Sequence, residues 1–168
     1  MIAIRSVTPQ DALLFKSVRL RALQGTPSAF GSTYAKESQL SDAEWLNRAT
    51  NWNGESRIMF LAVDGNETCG IAGCYVDPHD ATRAQLISMW TAPTHRQRGI
   101  GRLLVSEVLA WTRQRNVRTL QLMVTSNNET AMRFYERLGF TRTGRTEPYP
   151  NDPALSEYEM SRAVGETL

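Results

Sequence analysis

One unit of this chain constrains its fold more than any other: Gln85 to Val124, which reads as strand, proline-marked exit, arginine- and glycine-rich turn, helix and second strand. Gln85 to Thr91 (QLISMWT) is a buried-strand run, and Ile100, Leu103, Leu104, Val108 and Trp111 recur at helical spacing toward about Arg115. Thr119 to Val124 is a strand again. A strand-helix-strand unit of this size predicts two parallel strands joined by a right-handed crossover. It also predicts an anion site, because the first N–H groups of a helix lack intrahelical partners and the summed peptide dipoles place about half a positive charge there. Gly99 and Gly101 flank that end, so a ligand such as a diphosphate can lie close against the main chain.

The remaining elements alternate around this unit. Ile2 to Val7 is a first strand, and Thr8-Pro9-Gln10-Asp11 opens a helix with an apolar side of Leu13, Leu14, Val18, Leu20 and Leu23, stopped at Gly25-Thr26-Pro27. Ser28 to Leu40 reads as loop and short helix, and Ser41-Asp42-Ala43-Glu44 is a capping box before a helix to about Thr50. Ile58 to Val63 and Thr68 to Val76 form a hairpin about Asp64-Gly65-Asn66. Asn128 to Leu138 is a helix closed by Gly139, Phe140 to Gly144 starts a strand, and Leu155 to Arg162 alternates as a closing strand. The expectation is one α/β (α+β) domain over residues 1–168.

Net charge is only +2, but its distribution is uneven: between Ala81 and Asn128 a single acid, Glu107, faces seven arginines. That section would attract a polyanion. Nucleic acid is not supported, since no basic stripe interleaved with aromatics accompanies the arginines. Cys69 and Cys74 are five apart in a strand-like run, which points them to opposite faces and suits reduced thiols. The start MIAIRSVTPQD lacks the pattern of a secretory signal and no apolar run reaches membrane-spanning length, so a soluble cytoplasmic protein with no membrane partner is expected. With two histidines and neither HxxxH nor CxxC, no metal site is expected.

Two motifs then carry a resemblance. Arg96-x-x-Gly99-x-Gly101 resembles the (Q/R)xxGx(G/A) pyrophosphate loop of the GNAT N-acetyltransferases. Asn128-x-x-Ala131-x-x-x-Tyr135-Glu136-x-Leu138-Gly139-Phe140, beginning 27 residues after Gly101, resembles the second signature of the same superfamily. The run LISMWTAP with Glu157-x-Glu159-Met160 is similar to a mostly uncharacterised bacterial branch.

The resemblance implies a GNAT-like central mixed, mostly antiparallel sheet of six to seven strands. Helices cover both faces, and one parallel strand pair splays to admit acetyl-CoA as co-substrate. It assigns cofactor contacts to the backbone of Met89, Trp90 and Thr91, to the loop and helix start Arg96, Gln97, Arg98, Gly99, Ile100, Gly101 and Arg102, and to Asn128, which could equally cap its helix. It makes Tyr135 the catalytic general acid, although Tyr135 shares its helix's apolar face and could be a core residue. No acid stands on the strand before the loop, and Met123 stands where relatives acting on protein N-termini often carry Glu. Glu37, Glu147, Glu157 and Glu159 remain as candidate bases. His95 reads as an exposed or phosphate-side residue, and Trp52 as a pocket wall.

The implied activity is acetyl transfer to a primary amine by direct attack in a ternary complex, with a small-molecule amine first and a peptide or protein amine second. A homodimer is compatible with the resemblance. The competing class is a catalytically silent CoA-binding sensor, distinguishable because it would release no thiol with any amine.

Overall fold

The computed structural model describes Met1–Leu168 throughout. Seven strands form one sheet in the order β1-β2-β3-β4-β5-β7-β6. They are β1 (Ile2–Ser6), β2 (Arg57–Asp64), β3 (Glu67–Asp77), β4 (Asp80–Thr91), β5 (Thr119–Thr125), β6 (Thr141–Pro148) and β7 (Ser156–Ala163). Every neighbouring pair is antiparallel except β4 with β5. The mixed, mostly antiparallel sheet with its one parallel pair therefore forms as expected. β4 starts five residues earlier than its apolar run, because the polar stretch from Asp80 to Ala84 is drawn in by pairing with β3 across a two-residue turn at Pro78-His79.

The helices are α1 (Ala12–Gly25), α2 (Tyr34–Glu37), α3 (Asp42–Asn51), α4 (Ile100–Arg113) and α5 (Glu129–Arg137). α3 starts at the Ser41–Glu44 capping box, with Ser41 N–H donating to the Glu44 carboxylate at 2.7 Å. Before α1, the Asp11 carboxylate accepts from the Thr8 N–H at 2.9 Å and is gripped by both terminal nitrogens of Arg5. The apolar face of α1 differs from its sequence reading. Phe15, Val18, Ala22 and Leu23 are buried while Leu13 is 62% exposed, since α1 packs mainly on α3 and the Phe15 ring meets Trp45 edge-on at 5.5 Å.

One continuous core contains Leu61, Ile71, Leu104, Leu120, Leu122 and Met160, nearly all fully buried. Gly70 lets α4 sit on it: a Cβ there would stand 3.1 Å from Ile100 Cγ2 and from the Trp90 carbonyl oxygen. Both cysteines are free and buried, and burial pushes the Cys74 thiol up to about 12. No helix is long and apolar enough to cross a membrane.

Candidate active site

The parallel pair opens a gap where the chain's chemistry collects. β4 and β5 pair only from Arg83↔Thr119 to Gln85↔Gln121, after which β4 runs on to Thr91 with no partner on that side. β5 meanwhile stays on β7 as far as Thr125↔Glu157, so the two parallel strands part. On its other side β4 carries a bulge: Gly73 faces Ile87 and Ile71 faces Trp90, leaving Ser88 and Met89 opposite the single residue Ala72. Ser88 has φ +57°, a left-handed conformation that costs a residue with a Cβ about 1–2 kcal/mol.

At one end of the gap the loop before α4 turns through two left-handed residues, Gln97 (φ +63°) and Gly99 (φ +79°). The first bond of α4 is from the Leu103 N–H to the Gly99 carbonyl (3.1 Å), so the amides of Ile100, Gly101 and Arg102 precede the helical ladder, and no side chain caps them. Such bare amides behind left-handed turns are an anion cradle. Gly101 is needed for a second reason: a Cβ would stand 2.8 Å from Phe134 Cζ and 3.2 Å from Met89 Cε, where the first turn of α4 meets α5.

The cleft from this cradle encloses about 620 Å³, and a smaller chamber of about 80 Å³ lies against the same wall. Met89, Asn128, Ala131 and Tyr135 line both. Tyr135 is only 8% exposed, its ring held edge-on by Phe134 and Phe140, and burial pushes its phenol well above the usual range. Asn128 caps α5, its side-chain oxygen accepting from the Ala131 N–H at 3.1 Å, and it also lines the cleft.

Residues 23–140 match the sequence profile of the acetyltransferase (GNAT) family, well over half of the chain. The protein belongs to that family. Its relatives include the ribosomal protein bS18-alanine N-acetyltransferase of Haemophilus influenzae, 27% identical over 74% of this chain and 84% of the relative. An uncharacterised N-acetyltransferase of Methanocaldococcus jannaschii is 27% identical over 82% of this chain, and the mycothiol acetyltransferase of Actinosynnema mirum 28% over 84%. This chain spans 59% and 45%, respectively, of the length of those two. Among solved structures, YncA of Salmonella typhimurium with its cofactor acetyl-CoA superposes over 100% of this chain and 96% of that one, with TM-score 0.79 and 17% identity.

Within this GNAT fold, all the residues singled out for the cofactor and for acid catalysis line the cleft except Arg98. The Arg98 guanidinium lies 3.3 Å from Asp64 at the end of β2, turned away by a carboxylate that the loop sequence gives no hint of. Arg96 folds back so that its Nε donates to the Thr91 carbonyl at 3.2 Å, engaging a backbone group expected to face the cofactor. His95 is buried rather than exposed, with Nε2 3.4 Å from Asp64 and Nδ1 2.8 Å from the Thr94 hydroxyl, yet it lines the cleft beside Arg96 and Gly99, on the side expected for the phosphates. Trp52 ends α3 under the Arg57 guanidinium and does not line the cleft.

The four candidate carboxylates separate. Glu37 is locked between two arginines, Glu159 accepts from the Thr143 hydroxyl at 2.9 Å, and Glu147 pairs with Arg145. Glu157 alone lines the chamber with Tyr135. Burial first, and the charge of Glu147 across the β6–β7 pair second, raise its pKa. Ser28 and Ala29, at the start of the segment expected to fold over the acceptor space, line the chamber, whereas nothing in the sequence singles out the strained Ser88 beside them. No group of three or more His, Cys, Asp or Glu side chains gathers in a metal-ligand arrangement.

Proposed function

We propose that this GNAT domain is a cytoplasmic N-acetyltransferase that uses acetyl-CoA to acetylate a primary amine of a small molecule by direct attack in a ternary complex. The observation that carries the reading is a shared wall: Met89, Asn128, Ala131 and the buried phenol of Tyr135 line both the cleft that begins at the bare amides of α4 and the chamber that holds Glu157. The residues present suit the co-substrate: the amides of Ile100, Gly101 and Arg102 and the exposed Arg96 and Arg102 for the diphosphate, the unpaired edge of β4 for the amide-bearing arm. Acetyl-CoA brings the activated acyl group as a thioester.

The chain's own groups then handle the protons. Forming the N–C bond and breaking the C–S bond requires one proton to leave the amine and one to reach sulfur. In this reading Glu157, ionised, accepts the first, directly or through water, a role its position in the chamber lining supports. Tyr135, kept protonated by burial, donates the second from its hydroxyl and is reprotonated by solvent. A main-chain N–H of the bulge at Met89 is the donor for charge developing on the acyl oxygen.

The relatives' named acceptors, a ribosomal-protein alanine and mycothiol, differ from each other and fix no acceptor class. The chamber supports a small one. Its roof is pinned by hydrogen bonds from Thr125 Oγ1 to the Ser28 carbonyl (3.3 Å), from Tyr149 Oη to the Phe30 carbonyl (2.7 Å) and from Asn151 Nδ2 to the same oxygen (3.1 Å).

Two results test the reading. Calorimetry should give a saturable heat with acetyl-CoA, and Gly101→Leu, which pushes a side chain into Phe134 and across the cradle, should weaken it at least about tenfold. No heat with the unaltered protein would end the proposal. An amine screen followed by free thiol should then supply an acceptor for Glu157→Gln, in which kcat/KM falls about tenfold and the protein's acid limb disappears. The sign follows from the raised pKa: Glu157 becomes an active base only above the ordinary glutamate range, so activity rises with pH through that limb. Comparing two acceptors of different basicity separates it from the amine's own ionisation, because only the latter moves with the acceptor. A limb unchanged in Glu157→Gln would remove the carboxylate from the reaction.

A further inference from the structure

A chain of charged contacts centred on the buried Glu37 reaches the β4 bulge from α1. Arg19, on α1, donates from Nη1 to Ser88 Oγ at 2.8 Å. Its Nε and Nη2 are both committed to the Glu37 carboxylate, at 3.1 and 2.9 Å, and its guanidinium lies over the Phe30 ring at 4.9 Å. Glu37 is 2% exposed and is held from its other side by Arg48 Nη1 at 2.7 Å. The guanidinium is thus fixed before it meets Ser88, and Ser88 is the residue of β4 with positive φ.

From this we infer that Arg19 is a positioning residue: anchored by Glu37, it holds Ser88 in its left-handed turn and thereby sets the direction of the Met89 main chain where the cleft and the acceptor chamber meet. This deepens the proposed activity and rests on it. The hydroxyl of Ser88 has no chemical role in this account; it is the handle by which α1 grips the strand. Glycine adopts positive φ without help and alanine does not, so the two substitutions separate the grip from the hydroxyl. They also leave the Arg19–Glu37 pair intact, which keeps the fold out of the comparison.

The experiment measures kcat and KM by thiol release, and acetyl-CoA affinity by calorimetry, for four proteins beside the unaltered one. Ser88→Ala should lower kcat about tenfold with affinity for acetyl-CoA unchanged, whereas Ser88→Gly should stay within about twofold of the unaltered protein. Arg19→Lys, which keeps a cation for Glu37 but loses the fork, should lower kcat as Ser88→Ala does. Adding Ser88→Gly to it should restore turnover. Equal losses in the alanine and glycine variants, no loss in either, or no restoration in the double variant would each overturn the inference. Absence of both binding and thiol release in the unaltered protein would instead bring down the activity on which it rests.

Discussion

Replacing Tyr135 by phenylalanine is expected to lower kcat by about 10²- to 10⁴-fold while acetyl-CoA affinity stays within about twofold. The substitution removes one oxygen and little else. The ring sits 8% exposed against Phe134 and Phe140, and phenylalanine can keep both edge contacts, so the helix and the cleft wall stay in place. Alanine would be a poorer choice, because emptying an aromatic site in a core costs about 3–5 kcal/mol and would confuse folding with catalysis. What phenylalanine cannot do is hand a proton to a departing thiolate. Because burial raises the phenol's pKa, the group stays protonated across the neutral range, and no basic limb near neutrality should be traceable to it. The measurement is single-turnover thiol release beside calorimetric titration. Turnover within threefold of the unaltered protein would assign Tyr135 to the core alone, and a parallel loss of acetyl-CoA binding would make it a wall of the cleft.

Where sequence was a sufficient guide, the signal was local. The turn into α4 at Gly99 and Gly101, the Ser41–Glu44 cap and the hairpin at Gly65 are each specified by residues within a few positions of one another, and each forms. The second motif placed Asn128 at a helix start and Tyr135 one face along, and both meet the cleft. The failures are long-range. Nothing near Arg98 or His95 announces Asp64, more than thirty residues earlier, which draws both side chains to itself. Leu13 looks like core by spacing and is exposed, because the position of α3 decides which stripe of α1 is covered. The bulge at Ser88 lies in an ordinary apolar strand run, and its partner Arg19 is 69 residues away. Of the four carboxylates left open by sequence, only three-dimensional pairing distinguishes Glu157 from those already engaged.

The largest stability effect should come from Glu37, a residue outside the cleft. Glu37→Gln is expected to cost about 3–5 kcal/mol, because removing the anion of a buried pair leaves its cations uncompensated. At roughly 2–4 °C per kcal/mol for a chain of this size, Tm should fall by about 10 °C. Burial alone would push the Glu37 carboxyl up; the hydrogen bonds and charge of Arg19, with the charge of Arg48 behind them, outweigh it and hold the pKa below the usual range. The sign of the pH dependence follows. A depressed pKa gives stability that is present above the unfolded carboxylate's titration and is lost as pH falls through the folded one. The gap between the two proteins should therefore be widest at neutral pH and narrow in acid, below about pH 4. Thermal melts across that range measure it, and a gap that stays constant into acid would mean the carboxylate's charge is not what holds α1, α2 and α3 together. The same variant frees Arg19, so a protein still folded at low temperature should also lose turnover through Ser88, coupling the stability of the helical arm to the geometry of β4.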